Sequence, residues 1–156
     1  MSNSLRGSKR VSTYLKEKGI EARVVTLDES TRTSQLAADA LGCTVAEIAK
    51  SIVFKAVNGA VVVVISGDRR VDAKKVSAHL GLKVGNADAD SVKVLTGYPI
   101  GGVPPFPHDS GVKVLLDGSL NRFERVWAAA GTPNSVMNLA VEQLRGIVGG
   151  FVNVAL

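Results

Sequence analysis

One cysteine, Cys43, leaves no internal disulfide to form and no Cys-based metal cluster to build. The chain has only two histidines, His79 and His108, and no clustered carboxylates, so metal catalysis finds little support. Cys43 in "ALGCTV" reads as a small buried residue rather than a nucleophile, which would want a His beside it. His79 sits in the helical "KKVSAHLG" and reads as structural. Aromatics make up 4% of the residues, so the core is expected to be built from small aliphatic side chains. The same scarcity argues against a stacking platform for single-stranded nucleic acid. No apolar run reaches the length of a membrane span, and "MSNSLRGSKR" has no hydrophobic segment of the signal-peptide kind; a cytoplasmic protein with no membrane partner is expected. "GYPIGG" lacks the G-x-G-x-x-G spacing and follows a helix-like segment, so no cofactor is expected.

What is present is apolar residues enough for one core: 156 residues at 46% hydrophobic content predict a single domain over 1–156. The net charge is +5, with basic residues grouped in "RGSKR", "DRRVDAKK" and "LNRFERVW", a distribution compatible with a polyanionic partner. "RGSKRVSTYLKEKG" predicts an amphipathic helix stopped by Gly19, and "ARVVTL" a strand. "TSQLAADALG" predicts a helix with Thr33 or Ser34 as N-cap and Gly42 beyond its end. Thr44 and Glu47 have the capping-box spacing, which predicts a short third helix in "TVAEIAK". "SIVFKAVNGAVVVVISG" reads as two strands joined at Asn58-Gly59. Helices follow in "VDAKKVSAHLG" and "DADSVKVLTG", strands in "GVKVLLD", "ERVWAAAG" and "SVMNLA", a helix in "VEQLRGIVG" and a strand in "FVNVA". The fold class is mixed α/β: a curved or closed mixed sheet with helices outside.

Two features invite chemistry. "TGYPIGGVPPFPHD" holds four of the five prolines and three glycines, a stiff loop whose Gly101-Gly102 backbone could approach a carbonyl or phosphate oxygen; a rigid connector is the other reading. Lys50 is expected where the short helix stops and a buried strand begins, in apolar company. It either meets an anion, in the protein or in a ligand, or binds carbonyls at a helix C-terminus, and both readings stay open.

These residues carry a resemblance. "LGCTVAEIAKSIVFKAVNGAVVVVISGDRRVDAKKVSAHLG", "LTGYPIGGVPPF", "VLLDGSL" and "AAAGTPNSVMNLAVEQL", in that order, resemble the YbaK family, which includes free-standing editing proteins related to the insertion domain of bacterial prolyl-tRNA synthetase. The resemblance runs from about the second helix to the C-terminus. It implies a barrel-like mixed α/β fold and hydrolysis of mischarged aminoacyl-tRNA, chiefly proline tRNA carrying Ala, Cys or a similar small amino acid. It implies catalytic roles for Lys50 and for Gly101 in the Gly-x-x-x-Pro loop ending at Pro105. Ser51 stands where many members have Thr, and Pro104 where numerous relatives have Ser, which removes a hydroxyl. Asp117 and Gly131 match recurring family positions and read equally well as structural.

The chemistry suits such a substrate. An aminoacyl ester brings its own ribose hydroxyl and a nearby phosphate, so a Gly101-Gly102 amide pair could act as an oxyanion hole, with Lys50 on the phosphate or ester and water or the ribose hydroxyl as nucleophile. Ser51, Gly102, Pro105, Tyr98 and His108 are the expected substrate-binding residues, and Arg69, Arg70, Lys74 and Lys75 the expected tRNA contacts. A synthetase partner is a further expectation. Two alternatives remain: a non-catalytic tRNA- or synthetase-binding module of the same fold, and a small-molecule enzyme with an anionic substrate.

Overall fold

A computed structural model describes residues 3–27 and 33–156. Most helix ends carry the caps that their residues promise. Helix α1 (Asn3–Glu17) buries Val11 and Leu15 and stops ahead of Gly19, whose φ is 63°. Strand β1 (Arg23–Thr26) follows. In α2 (Ser34–Leu41) the Leu36 N–H donates to the N-cap hydroxyl of Thr33, and left-handed Gly42 ends the helix. Asp72 and Asp88 cap α3 (Ala73–Leu80) and α4 (Ala89–Thr96) by accepting from Lys74 N–H and Ser91 N–H.

The helix expected in "TVAEIAK" is a single 3-10 turn, Val45–Glu47. The capping box is there, with Glu47 accepting from both the N–H and the hydroxyl of Thr44. Ile48 and Ala49 nevertheless leave the helical path, because they pair with other strands. Strand β2 therefore spans Ile48–Ala56, and Lys50 is its third residue rather than a helix end. The hairpin to β3 (Gly59–Ser66) is present, but its two-residue loop is Val57-Asn58, and Gly59 already pairs with Ala56. Glycine is required there by proximity: a Cβ on Gly59 would fall 2.2 Å from the Gly111 carbonyl oxygen.

The remaining elements are β4 (Val84–Asn86), β5 (Val112–Asp117), a 3-10 turn at Gly118–Arg122, β6 (Arg125–Ala129), β7 (Ser135–Ala140), α5 (Val141–Val148) and β8 (Phe151–Val152). No expectation covered β4, three residues without alternation between two helices. The last strand is shorter than "FVNVA"; Ala155 instead bridges Val71.

Among the described residues, all eight strands form one mixed sheet in the order β1-β7-β6-β2-β3-β5-β8, with β4 also paired to β2. β3 lies in its interior, antiparallel to β2 and parallel to β5. Its unbroken run of apolar residues is explained by burial on both faces. Val62 and Val64 enter the larger core with Tyr98, Leu116 and Met137, while Val61, Val63 and Ile65 face a second one with Phe54, Val76 and Val154. The outer edge of β2 is shared. Parallel β6 pairs with it at Ile48 and Ala49, and antiparallel β4 at Phe54 to Ala56, so the ladder lapses between them.

Candidate active site

A cleft of about 550 Å³ opens at that lapse. Lys50, Ser51 and Ile52 of β2 form one wall; Ile100, Gly101 and Val103 form another; Trp127, Pro133 and the start of α2 complete it. Lys50 Nζ makes one long contact, 3.5 Å to the Gly67 carbonyl oxygen, and no carboxylate lies within ion-pair distance of it among the described residues. Burial pushes its pKa below the usual lysine range, Arg70 pushes in the same direction, and Asp68 opposes both. The helix-end reading of Lys50 therefore gives way to a strand lysine held by one loop carbonyl.

The carbonyl that receives Lys50 belongs to a tightly held turn. Gly67 N–H donates to the Ile48 carbonyl at 2.7 Å, and a Cβ on Gly67 would meet the Val45 carbonyl oxygen at 2.4 Å. Arg122 grips Asp68 with two nitrogens, at 3.1 and 2.7 Å, and donates to Ser66 Oγ at 2.9 Å. Ser66 Oγ in turn donates to the Ala46 carbonyl.

The proline-rich loop is stiff because it is braced on both sides. Gly101 has φ 82°, which favours glycine, and lines the cleft. Behind it, Gly102 packs so closely on residue 132 that a Cβ would lie 2.8 Å from the Thr132 backbone. Gly102 N–H donates to the Pro99 carbonyl at 2.9 Å, so it is not available to a ligand, and the expected Gly101-Gly102 donor pair is reduced to Gly101. Pro105 and Tyr98 are buried outside the cleft lining, and half-buried His108 also lies outside it. The Tyr98 hydroxyl donates to the Pro107 carbonyl at 2.8 Å, and burial raises its pKa to about 12. His108 Nε2 lies 2.7 Å from the Pro104 carbonyl, its ring edge-on to Tyr98, and burial holds it below the usual histidine range. These residues shape the loop from behind rather than facing the cavity.

Arg69, Arg70, Lys74 and Lys75 are all exposed. Arg69 pairs with Asp68 at 3.7 Å, and Lys75 donates to the Ala155 carbonyl at 2.7 Å. Arg70, close enough to depress Lys50, joins this basic strip to the cleft. Asp117 accepts from Ser119 N–H and Val154 N–H, and Gly131 has φ 101° against Gly7, so both have structural roles. Cys43 is half-buried, and that burial raises its thiol pKa. His79 is exposed on α3. Among the described residues no cluster of three metal-ligating side chains occurs, and no helix is long and apolar enough to cross a membrane.

Sequence reasoning missed Trp127, Gly67 and the Asp68–Arg122 pair. Trp127 carried a faint signal, a lone large residue followed by alanines in "VWAAAG"; the others depend on contacts between distant segments.

A mixed sheet broken at a lysine-bearing strand, with a glycine-proline loop facing it, defines a recognisable class. Residues 28–147 match the aminoacyl-tRNA editing domain family, and the chain belongs to that family. As a class its members hydrolyse mischarged aminoacyl-tRNA. The chain is 34% identical to the uncharacterized protein YwhH of Bacillus subtilis over 137 residues, 87% of each chain. It is 29% identical to the multifunctional Ser/Thr-tRNA deacylase ProXp-y of Escherichia coli over 128 residues, 78% of this chain and 76% of that one. A solved structure described as a candidate trans-editing enzyme for prolyl-tRNA synthetase superposes with a TM-score of 0.88 at 34% identity, covering 100% of this chain and 99% of the other.

Proposed function

We propose that this protein is a trans-acting deacylase that clears a small, wrongly attached amino acid from tRNA. The observation that carries this reading is Lys50, a half-buried ammonium with one long carbonyl contact, in a cleft that no His, Cys or carboxylate lines among the described residues. Such a cleft has no protein nucleophile with a base beside it, so the attacking group is water or the neighbouring ribose hydroxyl of the substrate. Lys50 holds the terminal phosphate or polarises the ester, and Gly101 N–H, which has no acceptor among the described residues, donates to the developing oxyanion. Ala49, Ile52, Val103 and Ala128 leave a small apolar recess for the side chain. The basic strip beginning at Arg70 receives the acceptor-stem phosphates.

Ala- and Cys-charged proline tRNA are the first substrates to test, and the Escherichia coli relative adds Ser and Thr esters. In single-turnover assays across these esters, at least one is hydrolysed well above its spontaneous rate. Lys50→Ala lowers that rate by about a hundredfold to a thousandfold, the scale of losing one oxyanion-hole donor. Lys50→Arg restores little, since a planar fork does not replace a compact ammonium. Binding of every charged tRNA without hydrolysis of any would make the protein a binding module instead.

A further inference from the structure

The lapse in the ladder leaves more than a lysine at the cleft. In a strand, the N–H and C=O of one residue point to the same edge, and successive residues alternate. Gly67 N–H donates to the Ile48 carbonyl, and Ala49 is opposite Ser66 in the register, so Ile48, Lys50, Ile52 and Phe54 turn their backbone groups toward β3. Ala49, Ser51, Val53 and Lys55 turn theirs to the other edge. Ala49 meets β6 there and Lys55 meets β4, while Ser51 has no strand opposite it among the described residues. Its N–H and C=O are therefore left over beside a cleft that Ser51 itself lines. The Ser51 hydroxyl is buried and has no hydrogen-bond partner among the described residues. Buried polar groups without partners are uncommon, and a buried hydroxyl of this kind, on a residue whose N–H and C=O are also left over at a cavity, points to a ligand that supplies the missing partners.

The ligand chemistry follows from the spacing of these groups. An α-amino acid ester presents a carbonyl acceptor and an ammonium donor on adjacent carbons, as a residue of a neighbouring strand presents C=O and N–H. We propose that the aminoacyl group binds as one residue of a strand added to β2: Ser51 N–H donates to the acyl carbonyl, and Ser51 C=O accepts from the α-ammonium. The Ser51 hydroxyl is the second acceptor for the ammonium. This inference rests on the deacylase reading of the cleft. It accounts for two features at once. The ammonium needs acceptors, and no carboxylate lines the cleft among the described residues. The acyl oxygen needs a second donor beside Gly101, and Gly102 N–H is committed to Pro99. Backbone pairing also grips the part common to every amino acid, leaving choice among them to the recess around the side chain.

Ser51→Pro removes the N–H at a position where no strand bond is lost, the setting in which a strand tolerates proline. Ser51→Ala keeps both backbone groups and removes the hydroxyl. With the best-hydrolysed ester, Ser51→Pro is expected to lose about a hundredfold in single-turnover rate, as for one oxyanion-hole donor, with its thermal midpoint near that of wild type. Ser51→Ala is expected to lose less than about tenfold, the worth of one ordinary hydrogen bond. A folded Ser51→Pro variant with wild-type rate overturns the inference and leaves the deacylase reading standing.

A binding measurement on the wild-type protein holds whether or not that variant folds and whether or not hydrolysis is found. The alanylamide of 3′-amino-3′-deoxyadenosine, which cannot be deacylated, is titrated while backbone amides are followed by NMR and hydrogen exchange. The Ser51 amide is expected to shift and to exchange at least about tenfold more slowly, and the propionylamide, which lacks the ammonium, to bind at least about tenfold more weakly. Protection of Ser51 without any ester hydrolysis would support the site and sink the activity. No response at Ser51, whether the analogue binds elsewhere or not at all, overturns the inference.

Discussion

Lys50 must carry its proton to act on phosphate or oxyanion, and its surroundings decide how far into alkaline pH it does so. Burial and Arg70 disfavour the charged form, while Asp68 favours it. The deacylation rate, corrected for spontaneous hydrolysis, is therefore expected to fall on the alkaline side at a lower pH than an ordinary lysine, whose pKa is about 10.4, would give. In Asp68→Asn the supporting charge is gone, so that limb moves lower still. A profile that stays in place in the variant would remove Asp68 from the electrostatics of the site. Lys50 could be singled out from sequence because a cation amid apolar residues is conspicuous. Ser51 was named only through the resemblance, because the value of its backbone depends on which strands stop short of it, and Arg122 on a partner 54 positions away.

The proline-rich loop shows how an element can be legible in character and misread in detail. Its stiffness follows directly from proline and glycine, whereas its place at the reacting site was expected only through the resemblance. Composition does not reveal that Gly102 N–H is already taken, or that Tyr98 and His108 brace the loop from behind. Gly102→Ala is expected to cost about 1–3 kcal/mol, the usual penalty for forcing a group into filled space, because the added carbon lies 2.8 Å from the Thr132 backbone. Activity should fall with it, since Gly101 moves with its neighbour. Denaturant melts of the variant give the test: an unchanged midpoint would mean that the loop parts freely from the 131–133 turn. The third helix failed for a related reason. A capping box fixes only where a helical turn starts, and pairing with β6 and β3 outweighed the propensity of Ile48 and Ala49 to continue it.

At the scale of the whole molecule, charge and sheet order meet in one place. The strip Arg69, Arg70, Lys74 and Lys75 lies on the segment leaving β3, and the Leu156 N–H donates to the Arg70 carbonyl at 2.8 Å. If these side chains meet acceptor-stem phosphates, the logarithm of affinity falls linearly with that of salt, and Arg70→Ala reduces the slope by about 0.9 if one phosphate contact is lost. A slope equal to that of wild type would place the tRNA elsewhere. The alternation of helices and strands made a mixed sheet legible from sequence, whereas the strand order was not, because parallel partners are chosen by packing across long stretches of chain.

That order also bears on assembly. β2 and β3 are joined by two residues and can zip together as soon as both have been synthesised, but the cleft has no Trp127 wall until β6 docks. A growing chain therefore spends an interval with the outer edge of β2 bare and its apolar neighbours uncovered, the state in which strands recruit unrelated partners. The gap that admits a ligand in the finished protein is what remains of that bare edge after β6 and β4 have each covered one end. Recognition and the risk of mispairing thus share one origin, a few backbone groups that the fold never satisfies by itself.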